Sequence, residues 1–485
     1  MPPEQRNTVA TVNRAGQTVA ESHVWRDTDF RGPVDFREAR FPAGGDFRGA
    51  VFEETADFRG AVFEDRVDFA GAVFRKGAIF SNAVFHGRVW FRDARIEADA
   101  NFRGATFEKF LVLENATVGG DLLFVGADFQ LGASFEQVTV EGDLELNRAT
   151  FGVTTSLIGP LTAGQVFLRL TTFARRVRLE LNTGALDIER AVFGGGVQFL
   201  LGGAPWVKLV DSALGPASLI AIDPNDHAGR PPRVLTLSGT DLSNLTVGTV
   251  DLSACKFTVA HNVERLRLDY DYAFGWTPRN FWISRRRITG DEQRWRATYG
   301  PKRSRERWTP PADWRRRRPP GTPGEVAKVY RSLRRSREDA RDEPGAADFY
   351  YGEMEMRRLG KLYEARRRFQ VRNWRGWLAS SGEHALLWLY WLCSGYGLRA
   401  WRSFTGLTAV LLLAAGAFTA WGYPPKKGHD YWYSLQFSLR AATSFFRGTD
   451  QVLSTAGGWI ELVLRLIGPL LFGLAVLALR GRVKR

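Results

Sequence analysis

The sequence predicts a β-solenoid followed by a helical region with two membrane spans. Three observations predict it. A large apolar residue returns at alternating gaps of six and five, from Phe30, Phe36, Phe41, Phe47, Phe52 and Phe58 through to Leu146 and Phe151. A helix repeats every 3.6 residues and a flat strand every 2, so this period belongs to a chain that crosses short faces and turns corners. Near the C-terminus two stretches, Ser403–Tyr423 and Trp459–Leu479, are apolar over the thickness of a bilayer, roughly 31 Å at 1.5 Å per residue. Finally, the charge is uneven: residues 1–262 carry 26 Lys+Arg and 32 Asp+Glu, whereas the remainder carries 41 and 20. An acidic rod is joined to a basic second half, which suits anionic lipid or nucleic acid.

Within the repeat, a small residue sits two places before the large one, as at Ala50, Ala61, Ala72, Ala83, Ala105 and Ala127. Residues two apart share a strand face, so both point inward and the small one lets the corner close. Asp or Asn often directly precedes the Phe (Asp46, Asp57, Asp68, Asn101, Asp128), where it can bond turn amides. Arg often follows it, at Arg31, Arg37, Arg48, Arg59 and Arg103, facing water.

These features resemble the pentapeptide-repeat family in its Phe-centred form. The resemblance implies a right-handed quadrilateral β-helix over residues 29–262, degenerate across 152–236. The six/five alternation implies about 22 residues per coil, and some ten coils at about 4.8 Å spacing give a rod on the order of 50 Å long. Segment 223–232, with Pro224, Asn225, Asp226, His227, Pro231 and Pro232, reads as an inserted loop. The repeat returns in strict fives at Leu237, Leu242, Val247, Leu252 and Phe257. Residues 1–28 read as a leader or cap without an apolar run, hence without a secretory signal. The two cysteines, Cys255 and Cys393, provide no disulfide framework.

Beyond the rod, residues 263–323 form a linker rich in Trp, Arg and Pro. Its Arg285, Arg286, Arg287, Arg315, Arg316, Arg317 and Arg318 are candidates for lipid headgroups. Residues 324–372 read as a helical hairpin broken at Glu343–Gly345. The block from Asp348 to Arg358 resembles a juxtamembrane segment of bacterial pentapeptide-repeat proteins that end in membrane helices. Glu353 and Glu355 lie two apart and cannot share a helix face, so they are rejected as a catalytic pair. Residues 384–398 are too short to span and rich in Trp and Tyr, which suits an interfacial helix.

The first transmembrane helix is placed at 403–423 and the second at 459–479, where Glu461 and Arg465 are four apart and can pair. Arg399 and Arg402 before the first span, and Arg480, Arg482, Lys484 and Arg485 after the second, put both termini on the cytoplasmic side. Between the spans, 431–447 reads as an amphipathic re-entrant segment. Gln436, Arg440, Thr443, Ser444 and Arg447 fall on one face, and Trp432, Leu435, Leu439, Ala442 and Phe446 on the other.

The helix, short helix, helix order resembles a two-transmembrane ion-channel module. That resemblance makes the polar face pore-lining and Gly468 with Pro469 a gating hinge. A potassium filter, Thr-x-Gly-Tyr-Gly, is absent; the matching stretch is Thr443-Ser444-Phe445-Phe446-Arg447-Gly448. No nucleotide, hydrolase or metal-ligand motif occurs, so neither an enzyme activity nor a cofactor or metal is expected.

The sequence thus points to a multi-pass protein of a bacterial inner membrane. Its partners are the lipid bilayer, further copies of itself, and an unknown protein or ligand on the rod. The leading reading is a sensing rod coupled to a channel-like module. A membrane-anchored scaffold without a pore is the alternative. A DNA mimic that binds a topoisomerase ranks third, because a rod with an Arg in many repeats imitates phosphate poorly.

Overall fold

The computed structural model describes residues 7–19, 25–152, 157–226, 229–269, 274–278, 285–300, 308, 321–424, 430–443 and 452–483. The chain divides into two units, Met1–Pro320 and Gly321–Arg485.

The first unit is a parallel β-solenoid of about 11 turns with four faces. Each face is a ladder of two-residue strands that align one coil above the next. Val51 lies opposite Val73 and Val73 opposite Arg95, so a coil takes 22 residues, as the six/five alternation requires. Nine strands, from Arg40–Phe41 to Ala213–Leu214, stack on the third face.

Side chains in register form four columns inside the coil. One column runs Phe36, Phe58, Phe80, Phe102 and Phe124, with ring centroids 4.8–5.2 Å apart and planes within 21°. Another runs Phe41, Phe63, Phe85, Phe107, Phe129, Phe151, Phe173 and Phe193. Neighbouring columns meet edge-on, as Phe69 meets Phe80 at 5.4 Å and 74°. Offset stacks and edge contacts are the two arrangements that ring quadrupoles favour. Every Phe from Phe30 to Phe135 in these columns is buried, and so are the six small alanines.

The corners explain the two gap lengths. In each five-residue step the amide of the inward Ala donates to the carbonyl of the preceding large residue, as Ala50 does to Phe47 and Ala72 to Phe69. The third residue of that turn has positive φ: Gly71 at 66°, Asn82 at 57°, Asp93 at 55°. This is the geometry of a type II turn, which favours Gly or Asn there. The Asp before the Phe accepts from the amide two residues on, as Asp57 does from Arg59 and Asp68 from Ala70. The following Arg folds back onto that carboxylate: Arg37 meets Asp35 at 2.7 Å and Arg59 meets Asp57 at 2.6 Å.

Two expectations need correction and a third, the continuity of the degenerate region, holds with added detail. The solenoid begins within the supposed leader: Asn7–Val9 pairs with Thr28–Phe30, Val12–Asn13 pairs with Val34–Asp35, and Trp25 stacks on Phe47 at 4.7 Å. The degenerate region is continuous, but its corner between the first two faces straightens. Leu157–Arg169 and Val177–Glu189 are 13-residue strands that pair along most of their length.

The second correction concerns the basic linker. Residues 285–300 seal the end of the rod. Helix α1, Gly290–Tyr299, is capped by Thr289, whose hydroxyl accepts from the Glu292 amide. Asp291 accepts from the amides of Phe257 (2.8 Å) and Thr258 (3.4 Å) and from the Thr258 hydroxyl. A Cβ on Gly290 would lie 2.5 Å from the Ala254 backbone, so only Gly fits this contact. Burial pushes the Asp291 carboxyl above its ordinary value. A solenoid needs such a cap because its last coil has no successor to take its amides.

In the second unit, α2 (Pro323–Asp339) and α3 (Glu343–Gln370) form the expected hairpin, but its break lies at 340–342: Asp342 caps α3, so Glu343–Gly345 opens that helix rather than interrupting it. Thr322 and Glu325 make a capping box at the start of α2. Tyr330 packs over Gly352, where a Cβ would stand 2.7 Å from the ring. Helix α4 covers Trp374–Ser394, ten residues earlier than the interfacial segment placed at 384–398, and ends at Gly395 with φ 55°. Helix α5 covers Ala400–Ala417 and continues as a π-helical turn, Phe418–Gly422. Helix α6 covers Tyr431–Thr443 and α7 covers Thr455–Val483.

Two outcomes test the rod. Phe80→Ala should cost about 3–5 kcal/mol, while Gly71→Val should cost about 1–2 kcal/mol and Gly71→Asn much less, all read as loss of β-structure in thermal melts followed by circular dichroism. Asp291→Ala should cost about 1–3 kcal/mol for each amide left unpaired, and hydrogen exchange should speed up first at Phe257 and Thr258.

Candidate functional site

The candidate site is the bundle of α5, α6 and α7. Ala414, Phe418, Phe437, Ala441, Ala442 and Leu464 form its buried cluster, with Phe418 edge-on to Phe437 at 5.0 Å. Contacts between backbones are close. A Cβ on Gly457 would stand 2.3 Å from the Gly422 carbonyl oxygen, and one on Gly468 would stand 2.7 Å from the Ala442 Cβ. A hydroxyl pair joins two elements of the bundle, Thr419 bonding Ser434 at 3.1 Å, while Ser438 donates back to the Ser434 carbonyl of its own helix. Ser454 caps α7 by accepting from the Gly457 amide, and its hydroxyl donates to the Trp421 carbonyl at the π turn. Small residues and hydroxyls at helix crossings are what membrane packing uses, since lipid is as apolar as Leu and supplies no hydrophobic drive.

Helix α6 corrects the expected division of its faces. The packed side is Ser434, Phe437, Ser438, Ala441 and Ala442. Of the expected apolar side, Trp432 is 71% exposed and Leu439 53%. The reason is close approach: small side chains let the helix dock, and bulky ones turn outward. Gln436, Arg440 and Thr443 are exposed, and the Thr443 hydroxyl bonds back to its own helix at Leu439 and Arg440. Ser444 and Arg447 lie outside the described residues. Gly468 is a packing position under Ala442, which the hinge reading did not foresee; Pro469 lies within α7. Glu461 and Arg465 pair as their spacing implied, at 2.5 Å and partly buried.

Both long helices, Ala400–Gly422 and Thr455–Leu477, are long and apolar enough to cross a membrane, and only 22% of the apolar window in each is buried. A core helix of a water-soluble protein would be mostly covered.

Where α3, α4 and α5 meet, a knot of rings and charges forms that sequence reasoning did not resolve. The Trp391 indole donates to the Tyr351 hydroxyl at 2.8 Å, and the Tyr396 hydroxyl donates to Glu355 at 3.0 Å. Arg358 and Arg402 both stand by the Trp391 ring, 4.8 and 5.0 Å from its centre. Burial, with Glu355 beside it, holds the Tyr396 phenol well above its ordinary value. Glu353 points elsewhere, to Arg331 at 2.9 Å and Arg334 at 3.5 Å, so the two glutamates have separate partners. The density of Tyr, Trp and Arg was the available signal, but their pairing needed the fold.

On the rod, the expected headgroup ligands are differently employed. Arg286 is buried and donates both ways to Glu292 at 2.7 Å, so it cannot reach a lipid. Arg287 and Arg285 stand 4.2 and 4.9 Å from the Trp276 ring centre. Arg315, Arg316, Arg317 and Arg318 lie outside the described residues. Elsewhere on the rod, an open concavity of about 910 Å³ on the fourth face is lined by Trp90, Phe110 and Val112 with charges of both signs, among them Arg66, Arg88, Lys109, Glu64, Asp65 and Glu114.

A family model of pentapeptide repeats, nine copies long, matches residues 26–62, 58–106 and 102–150. No curated protein matches the chain.

Gly468→Val should push α6 away from α7 and destabilise the bundle by about 1–3 kcal/mol, lowering the melting midpoint in detergent while leaving the β-signal of the rod in place.

Proposed function

We propose that the chain is an integral membrane protein of a bacterial inner membrane, in which a cytosolic pentapeptide-repeat rod offers a binding or sensing surface and the helical unit forms a channel-like module on oligomerisation. The observation that carries this reading is the two-sided character of α6. Its small and hydroxyl residues are spent on α5 and α7, which leaves Gln436 and Arg440 uncovered beside two long apolar helices. A polar, cationic strip inside a membrane unit is costly unless it faces water or another copy. Copies arranged around an axis would give it both. The missing potassium filter and the charge of Arg440 favour anions or poor selectivity.

The second reading is a membrane-anchored scaffold without a pore. It is favoured by the completeness of the bundle core in one chain, where Ala415, Phe418 and Ala441 are fully buried without a second copy. Topoisomerase mimicry gains no support: rod carboxylates such as Asp35, Asp57 and Asp187 are held by arginines, so they do not form a bare anionic track.

Planar-bilayer recording on the purified full chain decides between the first two. The channel reading expects single-channel steps whose reversal potential in a salt gradient shifts toward cation preference in Arg440→Ala. Silence under every voltage, tension and salt condition tried would sink it and leave the scaffold.

A further inference from the structure

The turn joining α3 to α4 is the most basic exposed feature among the described residues of the second unit. Between Glu364 and Glu383 the sequence holds five arginines and no acid. Arg368 donates to the Gly376 carbonyl at 3.0 Å. Arg366, Arg367, Arg372 and Arg375 are exposed and enter no ion pair among the described residues. The two flanking acids are already occupied, since Lys361 bonds Glu383 at 2.5 Å and Glu364 at 3.6 Å. Arg375 also sits in the first turn of α4, which has no acidic residue. Cations at the positive end of a helix dipole are unfavourable unless an anion joins them.

The same turn is apolar on its outside. Phe369, Trp374 and Trp377 make a ring cluster with centroids 5.6–6.2 Å apart. Phe369, Val371, Trp374 and Leu378 are all more than half exposed. From Trp374 and Leu378 the exposed apolar stripe continues along α4 through Leu386, Leu389 and Leu392, eight residues before the start of the α5 span. The spacing places these residues on one side of the helix, while α3 covers the other. At 1.5 Å per residue the stripe is roughly 30 Å long. A water-facing helix has no use for such a stripe, and a spanning helix would not carry Glu383 and His384 at its midpoint.

We propose that α4 lies in the bilayer interface and that the α3–α4 turn is a binding site for an anionic lipid surface. The apolar stripe enters the acyl boundary, and Arg366, Arg367, Arg372 and Arg375 meet lipid phosphates. Rings among arginines over a continuous apolar stripe are the signature of a helix lying on a charged membrane. This site takes the place that the sequence had assigned to Arg285–Arg287. It rests on the membrane reading above.

The test uses the full chain with Cys393→Ser, since Cys255 is buried. A spin label is placed at Leu378→Cys or at Leu470→Cys, the latter on an exposed position of α7. Each protein is reconstituted into phosphatidylcholine vesicles with or without phosphatidylglycerol, and the label is probed with oxygen and with a water-soluble nickel chelate. The expected result is a Leu378 label that is shielded from nickel and open to oxygen only when phosphatidylglycerol is present. The fourfold Arg→Gln variant at 366, 367, 372 and 375 should lose that shielding, and the fourfold Arg→Lys variant should keep it. A Leu378 label with the same accessibility in both lipids, or unchanged by the Gln variant, overturns the proposal. A Leu470 label open to nickel in every vesicle would instead refute membrane insertion itself, and this proposal with it.

Discussion

Register is the constraint on which the rod depends. Parallel pairing repeats every 22 residues, so any side chain must tolerate a copy of itself roughly one strand spacing above and below. Phenylalanine satisfies this on the inside, because flat rings stack within van der Waals reach at 4.5–5.3 Å. On the outside the same rule would stack like charges. The Asp–Arg fold-back relieves it: Asp35, Asp46 and Asp57 are each met by the Arg two residues on, and Arg37 and Arg48 also approach Asp57 and Asp68 of the next coil. At neutral pH these pairs are exposed and each is worth little; what they remove is repulsion along the column.

The ends of such a column are its weak points, since coil amides and carbonyls face outward there. The N-terminal coil uses Trp25 to finish a column that Phe47 begins. The C-terminal coil uses a helix, with Asp291 filling the hydrogen-bond positions a further coil would have taken. Burying that carboxyl costs solvation, which is why its pKa rises. Between the carboxylate's ordinary value and that raised value, the folded cap holds a proton that the unfolded chain releases. Its contribution therefore strengthens as pH falls into that window and weakens as pH rises out of it.

The helical unit follows other physics. In the rod, large side chains fill the interior; between α5, α6 and α7 the smallest ones do. Water rewards burying Phe and Leu. Lipid, which the two apolar helices are long enough to cross, would offer no such reward, and there close backbone approach and interhelical hydroxyl bonds would favour the side of α6 that turns inward. The basic turn at 366–375 and the ring knot around Trp391 then bracket α4, one at each end.

The sequence by itself determined the period, the inward column, the coil length and the two apolar helices. Each is a local or strictly repeating pattern, and a pattern repeated twenty times averages out its exceptions. It determined the Glu461–Arg465 pair for the same reason, since four residues on one helix fix the neighbours. Only the tertiary structure decided where the coil starts, that residues 285–300 close it, which side of α6 is packed, and that Gly468 is a contact. Those outcomes depend on what stands opposite a residue from far along the chain. Arg286 reads as a surface cation until Glu292 is placed against it in a buried cap, and Trp432 reads as a core residue until Ser434 and Ala441 leave it no room. Composition tells what a side chain prefers, and the partner across the interface tells which preference is met.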